Sequence, residues 1–172
     1  HHENQHLLSI RRVDQEKHVW MDKFTIRNLE LFNSPSEDAT TLIDILDDTK
    51  SAMGGRMLRR WLALPLKDNK IISKRHEIVE ELIHNHEISE ILDREISVIG
   101  DLERLISKVS TLRINPRECV KLRDALIALK SIKAFCAKSL VNPLKDIASR
   151  IDLCEDICLR IANEISENPP LV

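Results

Sequence analysis

The chain has 172 residues, of which 42% are apolar and 31% charged, a composition that suits one compact domain and excludes a disordered tail. Lys and Arg total 26 against 28 Asp and Glu, so the formal net charge of -2 excludes a protein held to nucleic acid or a membrane by bulk charge. No run approaches the roughly 18 to 20 apolar residues of a membrane span. Four cysteines are too few for a disulfide framework, and we expect a reducing, cytoplasmic setting.

The first 34 residues differ in pattern from the rest. Phe24 and Ile26 alternate with polar residues, which predicts extended structure, and Asn33-Ser34-Pro35-Ser36 marks a break. We therefore interpret residues 1–34 as a partly extended connecting segment and residues 35–172 as a helical domain. Because the chain begins with His1 and not with Met, we expect it to be part of a longer protein.

Two helices are predicted before residue 66. The first covers Leu42–Leu46 and ends at Asp47-Asp48-Thr49; the second is capped by Ser51 and stopped by Pro65, which disfavours helix in the residue before it. The apolar positions of the second helix are Met53, Met57, Leu58, Trp61, Leu62 and Leu64. We place the basic residues Arg56, Arg59 and Arg60 on its opposite face.

Later helix starts are marked by capping residues. They are predicted at Asp68 or Asn69, near Asn85, at Gly100-Asp101, at Asn115-Pro116 with Glu118, at Asn142-Pro143 and at Asp152, and Pro169-Pro170 ends the last helix. Each apolar stripe needs a partner, so the sequence predicts an all-α, multi-helix bundle with a short extended N-terminal segment.

Two groups of residues match metal-ligand spacings. His2-Glu3-Asn4-Gln5-His6 fits H-E-x-x-H, but no apolar helix surrounds it, so we favour a chance match over a zinc site. Cys154 and Cys158 are either half of a metal site or small apolar residues of the core, and we favour the core. We therefore predict no metal site and no catalytic residue in this chain.

The Gly54-Gly55 pair and the neighbouring arginines invite a search for a phosphate site. Neither G-x-x-x-x-G-K-[ST] nor G-x-G-x-x-G occurs, so we predict that these glycines permit close packing by another backbone. Arg56, Arg59 and Arg60 are either a solvated face or a docking surface for acidic groups or phosphates.

Motifs from residue 21 to residue 170 together resemble the core domain of the MutS family of DNA mismatch-repair proteins, from the end of the connector to the point where the lever meets the clamp. The motifs are Met21-Asp22, Thr25 and Asn28-Leu29-Glu30; Leu42 and Leu46-Asp47; Thr49, Gly54, Arg56, Leu58, Trp61-Leu62 and Pro65-Leu66; Arg75 and Val79; Asp101-Leu102-Glu103-Arg104-Leu105; and Glu167-Asn168-Pro169-Pro170. The resemblance implies that residues 35–172 contain the core and the start of the lever.

The resemblance also implies the functions of the longer protein. MutS-type proteins are dimeric clamps that find mispaired bases, use ATP with Mg²⁺, and signal to a repair partner protein. Their Phe-x-Glu wedge is absent, since Glu does not follow Phe24, Phe32 or Phe135 by two residues, and the P-loop is absent as well. We therefore expect no enzymatic activity and no cofactor in this chain, and a DNA-dependent ATPase in the longer protein.

The role that the resemblance implies for this chain is mechanical. The helical core would link the connector, lever and ATPase domains and relay the ATP state to mismatched DNA. We predict Leu58, Trp61 and Leu62 as helix anchors, and Arg56 and Arg60 as contacts to other domains. Three alternatives stay open: a helical interaction scaffold unrelated to repair, a zinc hydrolase using His2 and His6, and a MutS relative specialised for recombination.

Overall fold

The computed structural model describes residues 17–36 and 38–170, and helices joined by turns and short loops make up this part of the chain. Its helices are α1 (Lys23–Asn28), α2 (Leu42–Leu46), α3 (Ala52–Ala63), α4 (Asn69–His84), α5 (His86–Ile99), α6 (Leu102–Ser110), α7 (Pro116–Lys138), α8 (Asn142–Arg150) and α9 (Glu155–Glu164). The same part contains no strand, only an isolated antiparallel bridge between His18 and Leu66. Its helices include none that is long and apolar enough to cross a membrane. The all-α prediction is confirmed.

Most helix starts follow the capping residues that the sequence offers. Ser51, Asp68, Asn85, Asp101 and Asn115 each cap the next helix by accepting a hydrogen bond from a backbone N–H two or three residues ahead. The predicted stop at Pro65 is also confirmed, because α3 ends at Ala63. These predictions succeed because a cap depends only on residues within one turn.

The predicted starts of the last two helices are wrong in detail. Asn142 is the first residue of α8 and not its cap; Val141 takes the cap position without a side-chain hydrogen bond. Asp152 accepts a hydrogen bond from the N–H of Cys154, at 3.0 Å, and α9 begins only after Cys154, which has a left-handed backbone. The helix ends at Glu164, well before Pro169, since Ile165 is already extended.

The predicted extended structure around Phe24 and Ile26 is also wrong. Both residues lie in α1, whose cap Asp22 accepts a hydrogen bond from the N–H of Thr25 at 2.7 Å. Phe24 is 74% exposed, so no sheet face forms against it. A local cap therefore outweighs an alternation only two residues long. Residues 1–16 of the predicted segment lie outside the described residues.

Helix α7 is the central element of the bundle. With 23 residues it is about 35 Å long, and it contacts α5, α6, α8 and α9, while α4 packs on α5 and α8. Its small residues Ala125 and Ala128 are buried, which lets the neighbouring helices approach closely. The buried core consists of Leu92, Ile99, Ala125, Ala128, Ile132, Cys136, Leu144 and Ala148.

Two side-chain hydrogen bonds fix the C-terminal part of the chain along α7. Lys133 donates to the carbonyl oxygen of Ile151 at 2.8 Å, and Arg117 donates to that of Pro169 at 2.9 Å. The residues between Ile151 and Pro169 therefore run antiparallel to α7, from near its C-terminus back to its first turn. On the other side, Lys108 of α6 pairs with Glu118 at the same first turn.

Candidate functional site on helix α3

The candidate site begins with the tight turn that leads into α3. The Thr49 hydroxyl donates to Asp47 Oδ1 at 2.6 Å, and the Thr49 N–H donates to the same oxygen at 3.3 Å. These hydrogen bonds stabilise the ionised carboxylate and so lower the pKa of Asp47. Ser51 then accepts from the N–H of Gly54 at 3.1 Å, so the turn and the first helical turn form one hydrogen-bonded unit.

The two glycines of α3 face this turn. A Cβ added at Gly54 would lie 3.2 Å from Thr49 Cβ, and one added at Gly55 would lie 3.3 Å from Asp47 Oδ2 and Thr49 Oγ1. The expected close packing is therefore present, but against the side chains of the preceding turn. Our prediction of an approaching backbone is wrong, because the partner is the short turn itself.

Arg56 connects α3 to the N-terminus of α6. Its guanidinium donates to both carboxylate oxygens of Asp101, at 2.9 and 2.7 Å, and its Nε donates to Glu103 Oε2 at 3.0 Å. The hydrogen bonds from Arg56 hold the pKa of Asp101 below its usual range. A bidentate guanidinium–carboxylate pair fixes orientation as well as distance, so Arg56 sets how α3 meets α6.

Trp61 connects α3 to α4. The guanidinium carbon of Arg75 lies 3.6 Å from the centroid of the Trp61 ring, well within the range of a cation–π contact. Trp61 remains 43% exposed, so the contact covers only part of the ring. The third predicted basic residue, Arg59, lies over the ring of Phe32 at 5.9 Å and so faces the N-terminal segment.

A groove of about 610 Å³ lies beside α3 and brings together three of the five predicted site residues. Arg56, Arg60 and Trp61 line it, whereas Leu58 and Leu62 are half-buried elsewhere on the helix. The groove is lined by His18, Met53, Gly54, Arg56, Met57, Arg60, Trp61, Leu64, Leu66, Arg75 and Glu103. The roles predicted for the five site residues, as helix anchors or as contacts to other domains, stay predictions.

Arg60 does not lie opposite the apolar residues of α3, contrary to our prediction. Arg60 follows Met53 by seven residues, which places the two only about 20° apart around the helix. Arg60 and Met57 therefore line the same groove. Within the described residues Arg60 forms no ion pair, hydrogen bond or ring contact, so its guanidinium stands beside an apolar surface without pairing with a carboxylate.

The other candidate residues do not form a site in the described part of the chain. Cys154 and Cys158 are half-buried and free, and burial is the main cause that raises the pKa of Cys158. Residues 17–36 and 38–170 contain no group of three His, Cys, Asp or Glu side chains placed to hold a metal ion. His2 and His6 lie outside the described residues.

The sequence did not indicate the partners of the candidate residues. The sequence predicts Asp101 as a helix cap and as part of a motif, and Arg75 only as part of a motif, yet these two residues hold Arg56 and Trp61. The signal that was available is charge balance: α3 carries three arginines and no acid, so it needs carboxylates from elsewhere. Nothing in the spacing of residues along the sequence identifies which carboxylates these are.

Comparison with known proteins shows the family of the chain. Residues 24–172 match the family model described as MutS domain III. Proteins named DNA mismatch repair protein MutS are 47% identical over the whole chain in Christiangramia forsetii, 45% over 99% of it in Flavobacterium psychrophilum, and 40% over the whole chain in Phocaeicola vulgatus. The chain covers 20% of the length of each of these relatives. It therefore belongs to the MutS family of DNA mismatch-repair proteins and contains their domain III.

Proposed function

We propose that this chain is the helical core of a mismatch-repair protein, where it links the connector, lever and ATPase domains. In the intact protein it relays the ATP state of the ATPase domain to the hold on mismatched DNA. The intact protein acts as a dimer in the cytoplasm and signals to a repair partner protein. The chain itself carries out no chemistry in this proposal; it transmits displacement.

The observation that carries the proposal is the attachment of α3 to the packed body through Arg56. Asp101, its bidentate partner, is the N-cap of α6 and lies two residues beyond the end of α5, and α5 and α6 both pack on the central helix α7. The close-packed body around α7 passes displacement on without absorbing it, and the Arg56 ion pair joins α3, which has no buried residue, to that body. A shift of α3 is therefore carried to α7 and, through Arg117 and Pro169, to the C-terminal end of the described chain.

Nucleotide binding is assigned to parts of the protein outside this chain. The sequence has no P-loop pattern to cradle the phosphates of a nucleotide. ATP and Mg²⁺ therefore enter the proposal only as ligands of the intact protein, and no step of their chemistry involves residues of this chain.

The test replaces Arg56 in the intact protein and follows release from a fluorescent mismatched duplex after ATP is added. Arg56→Glu places like charges against Asp101 and Glu103, so we expect release to slow by about fivefold or more, the lower end of typical coupling between sites. Arg56→Lys keeps the charge but loses the bidentate geometry. Its rate of release should therefore lie between those of the parent protein and the Arg56→Glu protein.

Arg113→Glu is the matched control. Arg113 is an exposed arginine just beyond α6 that makes no ion pair within the described residues, and its reversal should leave release unchanged. Circular dichroism must show the same helix content in every variant. Unaltered release by the Arg56→Glu protein would refute the relay.

A further inference from the structure

The groove beside α3 combines an apolar lining with two arginines that pair with no carboxylate of residues 17–36 and 38–170. Arg56 is neutralised by Asp101 and Glu103, which leaves Arg60 and Arg75 as the uncompensated charges in this part of the chain. Arg75 contacts the Trp61 ring and forms no ion pair within the described residues. Since the chain as a whole carries a net charge of -2, this local excess of positive charge is a feature of the groove and not of the composition.

The apolar part of the groove is open to solvent. Met57 is 54% exposed and Trp61 43% exposed, and half-buried Leu64 and Leu66 continue the surface. An apolar groove whose lining also includes charged side chains suits an amphipathic helix, which places its apolar face in such a groove. Carboxylates beside the apolar face of such a helix would complement Arg60 and Arg75.

We propose that this groove docks an acidic amphipathic helix that belongs to the rest of the polypeptide, outside residues 1–172. The proposal rests on the linking role above and names a surface and a partner chemistry for it. About four fifths of the length of the relatives lies outside the matched region, so ample chain exists to supply the segment. Carboxylates of that helix pair with Arg60 and Arg75, and its apolar residues cover Met57 and Trp61.

A nucleic-acid backbone fits this groove less well. Met53, Met57 and Leu64 give the groove an apolar lining, which a phosphate backbone would remove from water without supplying an apolar partner. The apolar face of an amphipathic helix supplies that partner. The lining therefore favours a peptide over DNA.

The test places a photo-crosslinker at the groove in the purified intact protein, without DNA or ATP. Met57 is replaced by p-benzoylphenylalanine, the sample is irradiated, and the tryptic peptide joined to position 57 is identified by mass spectrometry. We expect one segment from outside residues 1–172, with more Asp and Glu than Lys and Arg and with apolar residues at helical spacing. An adduct within residues 1–172, an adduct to a segment without excess acid, or no adduct would overturn the proposal.

Charge variants test the complementarity. In the same protein, Arg60→Glu with Arg75→Glu should reduce the adduct by about fivefold or more, because charge-assisted pairs become like-charge contacts. Arg60→Lys with Arg75→Lys should keep most of it, and the control Arg113→Glu should not change it. An adduct yield that the double charge reversal leaves unchanged would overturn the proposal. If irradiation with a mismatched duplex present joins DNA to position 57, the groove is a nucleic-acid site and the peptide proposal fails.

A failure of the docking proposal can be told apart from a failure of the proposed function, because the crosslinked adduct requires neither ATP nor DNA. An adduct with normal release by the Arg56→Glu protein would keep the docking surface and refute the relay. Slow release by that protein without an adduct would keep the relay and refute the docking surface.

Discussion

Asp101 serves two purposes at one position. Its Oδ1 accepts from the N–H of Arg104 at 3.2 Å and so caps α6, while both of its oxygens accept from Arg56. The N-terminus of α6 stabilises the ionised carboxylate of Asp101, and the guanidinium of Arg56 stabilises it further. The lowered pKa of Asp101 is the combined result, with the Arg56 hydrogen bonds as the main cause.

We expect the stability of the chain to fall in acid partly through Asp101. Because its folded pKa lies below its unfolded value of about 4, its contribution is complete above that value and is lost as the pH falls through the folded pKa. Asp101→Asn keeps a capping side chain but removes the charge, so it should lower stability at neutral pH and reduce the loss below about pH 4. Urea unfolding of this chain from acid to neutral pH measures both effects.

Other carboxylates add to the same acid sensitivity and provide the comparison. The pKa of Glu118 is lowered mainly by Lys108, and that of Asp44 mainly by the Thr41 hydroxyl, so neither depends on Arg56. The Asp101→Asn chain should therefore still lose part of its stability in acid. An acid dependence identical to that of the parent chain would contradict the assignment.

At the scale of elements, α7 is shaped by small residues where its neighbours approach. Ala125 is 0% exposed and lies in the same core cluster as Leu92 and Ile99 of α5. Its one methyl group sets how close the two helices lie, because packed interiors leave no room for extra methylenes.

Enlarging Ala125 should therefore be costly. Ala125→Leu should lower the free energy of unfolding by about 1–3 kcal/mol, since the added atoms must displace helix α5. Ala134→Leu is the matched control, because Ala134 lies on the exposed side of the same helix and should change stability by no more than about 0.5 kcal/mol. Equal denaturation midpoints for the two variants would show that the interface tolerates expansion.

At the scale of the whole molecule, buried residues are unevenly distributed. The main cluster draws on α5, α7 and α8, whereas the region of α1 and α2 contributes only Leu31 and Ile43 as buried apolar residues. That region is joined by backbone hydrogen bonds, from the N–H of Leu42 to the carbonyl of Glu30 and from that of Ile43 to Leu31, both at 3.1 Å. It is the less firmly held part of the described chain.

Hydrogen exchange should resolve this difference. We expect amides in the middle of α5 and α7 to exchange only through global unfolding, and amides in α1 and α2 to exchange through local opening, because few buried contacts hold them. Exchange followed residue by residue by NMR, across rising denaturant, separates the two classes. Uniform protection across all helices would mean that the N-terminal region unfolds together with the core.

The sequence by itself determined the helical class, most helix boundaries and the family. Three helix starts, at Ser51, Asp101 and Asn115, could be predicted from the sequence because capping is a contact within one turn. The same reasoning failed at Asp152, where a left-handed residue intervened, and at Phe24, where the pattern was too short.

Only the tertiary structure decided what the arginines of α3 do. Arg56 meets Asp101 and Glu103 across 45 and 47 residues of sequence, and Trp61 meets Arg75 on a different helix. No periodicity encodes such pairs, because they depend on how two finished helices pack against each other. The groove in which Arg60 pairs with no carboxylate of the described chain has the same origin, since it is lined by α3, α4, α6 and the segment at His18, which only the folded chain brings together.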